Sequence, residues 1–591
     1  MLPSTKTSST RLGAHLALDQ EAAMAETNNP SNIREALEKA NEHYKDQDAY
    51  KEMDTPDAMR AARVQVQTAA VRGAYGDYVT MPEEPPTRIE LVGWYIYGLC
   101  SYFVLAVLVP VLFPLIISQI APSPDSPPYT IKGVACSRKE MALYQKLVHH
   151  SIVIGSSKLS ALNWTAISWA VGIFVASPLL TQLGHHLDRG QHQSLILIAA
   201  TTVGSFSCLL TGFFKTVWLF PFYIAAVISS IVVAEAAHTR YLGLMVRGLT
   251  AGVGGRQRLL RRRAVSSRLS LYSTAIGSVG AAIIAAFVYH MLRRSDQLTS
   301  LWVVSIFSGL AWFVGICHGL VSTRPACSSP SSSSSTSSDF ASKLAYALAV
   351  FNYPHAVGGL AAVFLSSFSS TCIFTGAVLY VVGGDCIKPV ILLTLWIFYF
   401  MFPAMSLPLL YPFQMLIRAD AVSMQLLGFL LSAFASGAGF YYKGRKWNEL
   451  HVILMGLVQS TAAGLLHAFG RVLLLDCTPA GKEGAFAVWF ATARAIGGCI
   501  GFAIGSASPG HVGPAFAVAF LASFVGLLVL IFGNVSNVGG VVAAGHVEGL
   551  EDERRSSAAC GVDKVGEGMN AIEVASSSGE ERDGYGGRVR V

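Results

Sequence analysis

Apolar residues along this chain are gathered into twelve stretches, separated by short polar segments. A membrane span takes about 20 predominantly apolar residues to cross roughly 30 Å of hydrocarbon, because only a helix satisfies every backbone polar group there. The pattern predicts six spans on either side of a serine-rich run from Ser328 to Ser338. The predicted ranges are 91–118, 161–183, 194–213, 217–237, 270–291, 300–321, 355–381, 389–411, 423–442, 451–474, 484–508 and 513–534.

Composition supports this pattern. The chain of 591 residues is 52% hydrophobic and 13% charged, with a mean hydropathy of +0.48. A soluble domain of that size and composition would expose apolar surface and aggregate, so the solvent is expected to be mostly lipid. The predicted fold class is an all-α membrane protein with twelve transmembrane helices in two six-helix halves.

The predicted organisation has five parts. Polar tails at 1–87 and 537–591 lack spanning hydrophobicity and are expected to be disordered. The two halves occupy 88–323 and 351–536, and a Ser-rich linker joins them at 324–350. An even number of spans puts both tails on one face, and the positive-inside rule favours the cytosol for the tails and the linker. Most of this signal comes from arginines predicted to lie in the loop between spans 4 and 5, namely Arg256, Arg258, Arg261, Arg262, Arg263 and Arg268.

Two features suggest that the halves are repeats of each other. Spans 5 and 11 each carry small residues at four-residue spacing, which lets helix backbones approach closely in lipid. An acid followed by a base comes near the end of span 4 (Glu235, Arg240) and again after span 10 (Asp476, Lys482). The small residues are Gly277, Ala281 and Ala285 in span 5, and Gly497, Gly501 and Gly505 in span 11.

Sequence motifs for other functions are missing. The chain has no Walker-type phosphate loop, no Gly-x-Ser-x-Gly and no His-Glu-x-x-His. No Cys/His spacing is typical of a metal site, so we expect no enzyme activity, no cofactor, no metal and no nucleic-acid partner. Cys136 and Cys386 are predicted in two non-cytosolic loops, and whether they pair is left open.

Ionisable residues inside a membrane are costly, so those that are present are candidates for function. In span 10, Ser460, Gly464, His467 and Arg471 share one helical face. Arg471 is a candidate to bind a carboxylate beside His467, and the alternative is a structural charge network of Arg471 with Asp476.

Arg494 lies about ten residues inside span 11, too deep for its head group to reach the interface easily. As a buried cation it needs an anionic partner, for which Glu235, Asp476 and the substrate are the candidates. We predict that Arg494 contacts the substrate.

Span 1 begins with an aromatic face. Trp94, Tyr97 and Ser101 are spaced to lie on one side of the helix, as the wall of a substrate cavity would. The alternative is an aromatic belt at the membrane interface. Prolines at Pro110 and Pro403 predict bent helices, which suit a carrier that alternates between two states.

The loop between spans 2 and 3 reads Gly184-His185-His186-Leu187-Asp188-Arg189-Gly190. It resembles the Gly-xxx-Asp-Arg signature of the major facilitator superfamily, although Gln191, His192 and Gln193 replace that family's later glycine and basic residues. The resemblance implies that this loop gates alternating access. Gly184, Asp188 and Arg189 are therefore predicted gating residues, with Glu235, Arg240 and Asp476 as gating or structural charges.

Two further segments are similar to the autophagy-related vacuole effluxer family. These are Gly93-Trp94-Tyr95-Ile96-Tyr97 in span 1 and Pro479-Ala480-Gly481-Lys482-Glu483 before span 11. The resemblance implies a secondary active transporter that exports amino acids from the vacuole and is linked to a proton gradient. We expect the protein to be a monomer. The plastid envelope and the plasma membrane are alternative locations, and a transport-inactive receptor or scaffold with the carrier fold is the alternative function.

Overall fold

The computed structural model describes the helical core of the chain. The predicted N-terminal tail up to residue 83, the serine run, Cys136, Cys386 and nearly all of the predicted C-terminal tail lie outside the described residues. The described residues are 84–122, 138–154, 156–190, 192–214, 216–251, 255–294, 298–322, 324, 340–383, 389–443, 447–479, 481–509, 511–533, 535 and 544.

Within these residues, twelve helices are long and apolar enough to cross a membrane. This confirms the predicted all-α membrane class. The helices are Arg88–Ile120 (α1), Ala161–Arg189 (α2), Gln193–Thr211 (α3), Val217–Thr250 (α4), Gly255–Arg294 (α5), Leu298–Val314 continued by Ile316–Val321 (α6), Pro354–Gly383 (α7), Pro389–Leu416 (α8), Ala421–Tyr441 (α9), Glu449–Asp476 (α10), Glu483–Ser506 (α11) and Val512–Phe532 (α12).

The start of α1 is fixed by its own sequence. The Thr87 hydroxyl accepts a hydrogen bond from the Glu90 backbone N–H at 3.2 Å, and the Glu90 carboxylate accepts one from the Thr87 N–H at 2.8 Å. This reciprocal capping box satisfies two of the amide groups that a helix start leaves unpaired. Glu90 also forms an ion pair with Arg324, just beyond α6, so the first and last helices of the N-terminal half are joined.

Farther along, α1 changes its hydrogen-bond pattern. Val104–Leu112 is a π-helix that contains Pro110. Proline has no N–H to donate, and a wider turn is one way in which a helix accommodates it. The irregular backbone lies at the depth of the cavity between the halves, where a break in helical geometry is tolerated in membrane proteins.

The helices pack with two-fold pseudosymmetry. Adding six to each helix number maps the pairs α1–α5, α3–α4 and α3–α6 onto α7–α11, α9–α10 and α9–α12, all of which are in contact. The contacts between halves obey the same rule, since α2–α11 corresponds to α8–α5 and α4–α11 to α10–α5. The structure thereby confirms the arrangement in two six-helix halves.

Helices α4 and α5 are longer than the sequence predicts. The predicted spans 217–237 and 270–291 extend to Thr250 and begin at Gly255, so the expected arginine-rich loop is helical. Hydropathy missed this extension because it is rich in arginine, and some of these charges are buried against the other half. Arg262, for example, is 3% exposed and contacts Asp476 of α10.

The predicted linker also contains secondary structure. Phe340–Leu348 forms a helix, here called the linker helix, and a 3₁₀ turn at Ala349–Asn352 leads into α7. The linker helix packs on α2. We call this end of the molecule, which carries the linker, the tail side. Residues 84–87 also lie toward this end.

A further small element between α1 and α2, at the opposite end, was not expected. It consists of the helix Arg138–His149 and an antiparallel hairpin of β1 (Ser151–Ile154) and β2 (Ser157–Ser160). The Tyr144 ring of this helix lies against Gly383 at the end of α7, where an added Cβ would come within 2.2 Å of it. The element therefore touches both halves.

Candidate substrate cavity and gate

A cavity of about 120 Å³ lies between the two halves. A smaller one of about 30 Å³ adjoins it and shares Tyr102, His467 and Arg494 with it. The walls come from α1, α2, α4, α5, α7, α8, α10 and α11, while the outer helices α3, α6, α9 and α12 contribute no lining residue. Both halves therefore share one space in the middle of the molecule, with polar and apolar groups in its walls.

Arg494 and Glu235 form an ion pair across this space. Arg494 of α11 donates to the Glu235 carboxylate of α4, and both side chains are largely buried. The second carboxylate oxygen of Glu235 is buried and has no hydrogen-bond partner among the described residues. The hydropathy pattern predicted Glu235 near the end of span 4. The extension of α4 to Thr250 instead puts Glu235 in the middle of that helix.

Arg471 of α10 lies in the same space but is bound differently. Its guanidinium donates to the Thr274 hydroxyl at 2.8 Å and to the Ser270 carbonyl at 3.3 Å, both on α5. It also lies 5.9 Å from the centre of the Trp94 ring. Within the described part of the chain no carboxylate pairs with Arg471, and its Nε has no acceptor. The site thus contains a buried cation with unused donor capacity.

The aromatic face of α1 is divided between two environments. Tyr97 and Ser101 line the smaller cavity, as predicted for a wall. Trp94 lines neither of the two central cavities, because its ring stacks on His238 at 4.9 Å and its Nε1–H donates to the His238 carbonyl at 3.3 Å. All three side chains are buried, so they do not form an exposed interfacial belt.

His467 lines both cavities and lies against aromatic rings. Its ring centre is 5.4 Å from that of Tyr102, which also stacks under the Arg494 guanidinium at 5.6 Å. One face of α10 therefore presents Arg471, His467 and Ser460 toward the cavities, as its spacing predicted.

Several cavity residues were missed by the sequence analysis. His238 of α4 is one, and a hydroxyl-bearing wall of α7 is another. The α7 residues form two stripes at four-residue spacing, a signal that periodicity could have revealed in that span. They are Ser366, Ser370, Ser367 and Thr371.

Proline adds a backbone group to this wall. Pro403 of α8 has no N–H, so the Tyr399 carbonyl one turn earlier loses its helical donor. The Ser460 hydroxyl of α10 donates to that carbonyl. Pro403 and Ser460 both line the larger cavity, where the bond from Ser460 to Tyr399 links α10 to α8.

Residues 184–189, predicted to lie in a loop, form the last turns of α2 at the tail side. Of the other predicted charges, Glu235 lies in the central cavity and not at this end. Asp188, near the end of α2, accepts hydrogen bonds from the backbone amides of Gly484 at 2.5 Å and Ala485 at 3.0 Å. These amides belong to the first turn of α11, where the helix dipole also favours an anion. Gly184, one turn earlier, lies so close to Ala485 that an added Cβ would be 3.2 Å from its Cα. Asp188 therefore connects the two halves.

Further charges surround this contact. Arg247 of α4 pairs with Glu483 of α11 at 2.6 Å, and Arg262 of α5 approaches Asp476 of α10 at 3.4 Å. Arg240 is 3% exposed and lines a small cavity of about 10 Å³ with Glu483. The predicted Arg471–Asp476 network is replaced by this arrangement, in which Asp476 contacts Arg262 while Arg471 contacts α5.

Comparison with known proteins gives structural neighbours alone. No family model matches the chain, and no curated protein does. The human organic anion transporter MFSD10 is 14% identical with a TM-score of 0.46, over 76% of this chain and 100% of that one. The proton:xylose symporter XylE is 13% identical with a TM-score of 0.49, over 74% and 94% of the two chains. FucP, a transporter in the outward conformation, is 13% identical with a TM-score of 0.46, over 75% and 99%.

XylE and FucP are described as members of the major facilitator superfamily. Their similarity to this chain spans nearly their whole lengths. At these identities and TM-scores it adds no argument about substrate, coupling ion or membrane, which must come from the site itself.

Proposed function

We propose that this chain is a secondary active carrier of the major facilitator type, which moves a small carboxylate-bearing solute across a membrane by alternating access. The observation that carries this proposal is a cavity with polar and apolar walls at a pseudo-two-fold interface, with one arginine that has no carboxylate partner among the described residues. A substrate path bounded equally by two repeats is the arrangement typical of such carriers.

Charge selects the class of solute. Arg471, Arg494 and Glu235 line the same small cavity, and two cations beside one carboxylate leave an excess of positive charge. In a space removed from water, such an excess favours an anionic group on the ligand. The guanidinium of Arg471 has the planar donor geometry that matches a carboxylate.

Size restricts the solute further. The larger cavity, about 120 Å³, is below the roughly 300–1,000 Å³ of pockets that enclose drug-sized ligands. Serine and threonine hydroxyls and aromatic rings line it, so a small solute with both polar and apolar parts fits. Amino acids are the first candidates, and the resemblance of the Gly93–Tyr97 and Pro479–Glu483 segments to vacuole effluxers supports them.

The conformational cycle follows from the interface. In this structure α2 contacts α11 along most of its length. Gly184 lies against Ala485 at the tail side, and Ala166 contacts Cys499 near the other end. The halves must therefore separate at one end for a solute to enter, and at the other for it to leave. Both repeats belong to one chain, so we propose that the monomer is the working unit.

We also propose that transport is linked to a proton gradient and takes place in a vacuolar membrane. The smaller cavity is lined by Glu235, His238 and His467, whose ionisable side chains are the candidate proton carriers. The membrane assignment rests on the effluxer resemblance, and the plastid envelope and plasma membrane are the alternatives to test by localisation of the tagged full-length protein.

The experiment is flux out of liposomes that contain the purified full-length chain, because a proton-linked exporter moves its solute out of the acidic compartment. An inside-acid pH gradient is imposed, and the flux of a mixed, labelled amino-acid pool is measured. We expect gradient-dependent flux, with a KM raised about tenfold or more in Arg471→Gln. The control is Arg261→Gln, which removes an exposed arginine of α5 and should leave flux and KM unchanged.

If the folded, inserted protein carries no labelled amino acid, the amino-acid assignment is wrong and small organic acids are tested next. If it binds such a ligand without moving it, the chain is a receptor or scaffold with a carrier fold. Equal flux in Arg471→Gln and the parent would remove Arg471 from the path.

A further inference from the structure

The two halves are joined by a segment whose described part contacts the gate. The linker helix Phe340–Leu348 packs on the tail-side end of α2. The 3₁₀ turn that follows it carries Phe351, whose ring lies 4.5 Å from that of Trp489 in α11. The linker helix therefore lies where α2 and α11 meet, which is the contact that must open for solute to pass on this side.

Tyr346 of the linker helix binds the gating carboxylate directly. Its hydroxyl donates to Asp188 Oδ2 at 2.8 Å, the same oxygen that accepts the Ala485 amide at 3.0 Å. The carboxylate thus receives three donors, two from α11 and one from the linker helix. Because Asp188 is 3% exposed, water can hardly substitute for any of them.

The ring of Tyr346 is held as well as its hydroxyl. The Arg189 guanidinium lies 5.5 Å from the ring centre, and the His185 ring packs edge-on at 5.6 Å. Both residues belong to the last turns of α2, so the tyrosine is fixed relative to the end of α2 that carries Asp188.

A second hydrogen bond fixes the linker helix to the other half. Trp489 Nε1–H donates to the Ala347 carbonyl at 2.8 Å. Ala347 is the residue next to Tyr346, so neighbouring linker residues hold α2 through a side chain and α11 through a backbone group. Separation of α2 from α11 must break at least one of these bonds.

We infer that the linker helix is a third component of the tail-side gate, and that Tyr346 is a positioning residue that holds Asp188 on the first turn of α11. The tail-side-closed state is stabilised when the linker helix is docked and weakened when it is not. This gives the chain a way to regulate opening through the linker, without any change in the substrate cavity. The inference rests on the proposed carrier function in one respect, namely that opening of the tail-side gate lets solute pass. The contacts of the linker helix with α2 and α11 do not depend on that function.

The test is hydrogen–deuterium exchange of the purified full-length protein in lipid nanodiscs, read at peptides that cover Gly484 and Ala485. These amides exchange only when their bonds to Asp188 open, so the exchange rate measures the opening equilibrium. Loss of a hydrogen bond to a carboxylate shifts such an equilibrium by about tenfold. We expect Tyr346→Phe to speed exchange at these amides by about tenfold.

Two controls isolate the hydroxyl. The Ser423 amide is bonded to Asp420 at the start of α9, away from the linker helix, and should exchange at the parent rate in every variant. Tyr441→Phe removes an exposed hydroxyl, since Tyr441 is 73% exposed, and should change neither peptide.

Trp489→Phe provides an independent variant in case Tyr346→Phe folds poorly. It removes the bond to Ala347 and should also speed exchange at Gly484 and Ala485. Unchanged exchange there in both variants, with parental thermal stability, would overturn the inference. The exchange measurement needs no substrate, so its result is separate from that of the flux experiment. Faster amide exchange in a protein that moves no amino acid would support the gate inference alone. Flux in a protein whose variants show unchanged amide exchange would support the carrier function alone.

Discussion

At the scale of single residues, the central feature is the difference between two buried arginines. Arg494 is paired with Glu235 across the halves, whereas Arg471 donates to a hydroxyl and a carbonyl of α5. A paired cation stabilises the interface, and a cation without a carboxylate partner is available to a ligand. Our proposal therefore gives ligand binding chiefly to Arg471, while Arg494 forms a contact between the halves and lines the same cavity.

The Arg494–Glu235 pair gives a prediction about stability. Removal of one partner leaves a buried charge without compensation, at a cost of about 3–5 kcal/mol, whereas removal of both costs much less. We expect Arg494→Gln and Glu235→Gln each to lower the thermal unfolding temperature of the purified protein, and the double variant to recover most of the loss. Additive losses in the double variant would show that the two side chains do not act as a pair.

At the scale of elements, α11 approaches α7 through its glycine stripe. A Cβ added at Gly497 or Gly501 would lie 2.4 Å from a backbone carbonyl of α7, and one at Gly505 would lie 2.8 Å from the next. The stripe predicted in span 5 packs in the equivalent way on α1, where a Cβ at Gly277 would be 2.9 Å from Tyr102. Small residues thus set the closest helix contacts within each repeat.

Gly501→Ala tests this packing. The methyl group would force α11 away from Phe368 of α7, and overpacking of this kind costs about 1–3 kcal/mol. We expect a lower unfolding temperature in a thermal melt. Gly359→Ala in α7 is the control, because an added Cβ meets nothing within 4 Å there and alanine favours the helix. An equal response of the two variants would contradict the role of the stripe.

The start of α11 is the second informative element. Asp188 supplies both acceptors and negative charge to its first turn, and Asn would lack the charge and one of the acceptors. We expect Asp188→Asn to change the turnover rate of transport much more than the equilibrium affinity for solute, because the residue is not in the cavity wall. Comparison of flux with direct binding measures the two separately, and unchanged kinetics would remove Asp188 from the gate.

At the scale of the whole molecule, the contacts between the halves are of a kind that allows the proposed separation of the halves. Three contacts connect the halves at the tail side. Asp188 accepts hydrogen bonds from the first turn of α11, Arg247 pairs with Glu483, and Arg262 approaches Asp476. Most of these groups are charged and can be hydrated once separated, unlike a continuous apolar interface. Such an interface is suited to open and close.

A reversible cross-link tests whether opening at the tail side is required. A Cβ at Gly184 lies 3.5 Å from the Cβ of Ala485, within the range of a disulfide. Gly184→Cys combined with Ala485→Cys should cross-link under mild oxidation and stop flux, and a reductant should restore it. The two single variants under the same oxidation are the controls. Full flux through the cross-linked protein would mean that this end need not open.

Much of this architecture could be predicted because hydrophobic length is a local signal. The twelve spans, the doubling and the polar face of α10 each follow from spacing along one helix. The long tail-side extensions of α4 and α5 could not, because residues such as Arg247 and Arg262 look like loop charges until the partners that neutralise them are known. The linker helix was missed for a similar reason, since its stability depends on packing against α2 and α11 and less on its own propensity.

The sequence alone determined that the chain spans a membrane twelve times in two halves, because burial in lipid depends on composition and length. It also marked Arg471, Arg494 and Asp188, because charged groups in apolar segments are costly wherever they lie. Only the tertiary structure decided their partners: Glu235 for Arg494, a hydroxyl and a carbonyl for Arg471, and two amides with Tyr346 for Asp188. These partners come from elements more than 150 residues apart, and their meeting depends on how helices pack, which no local pattern contains.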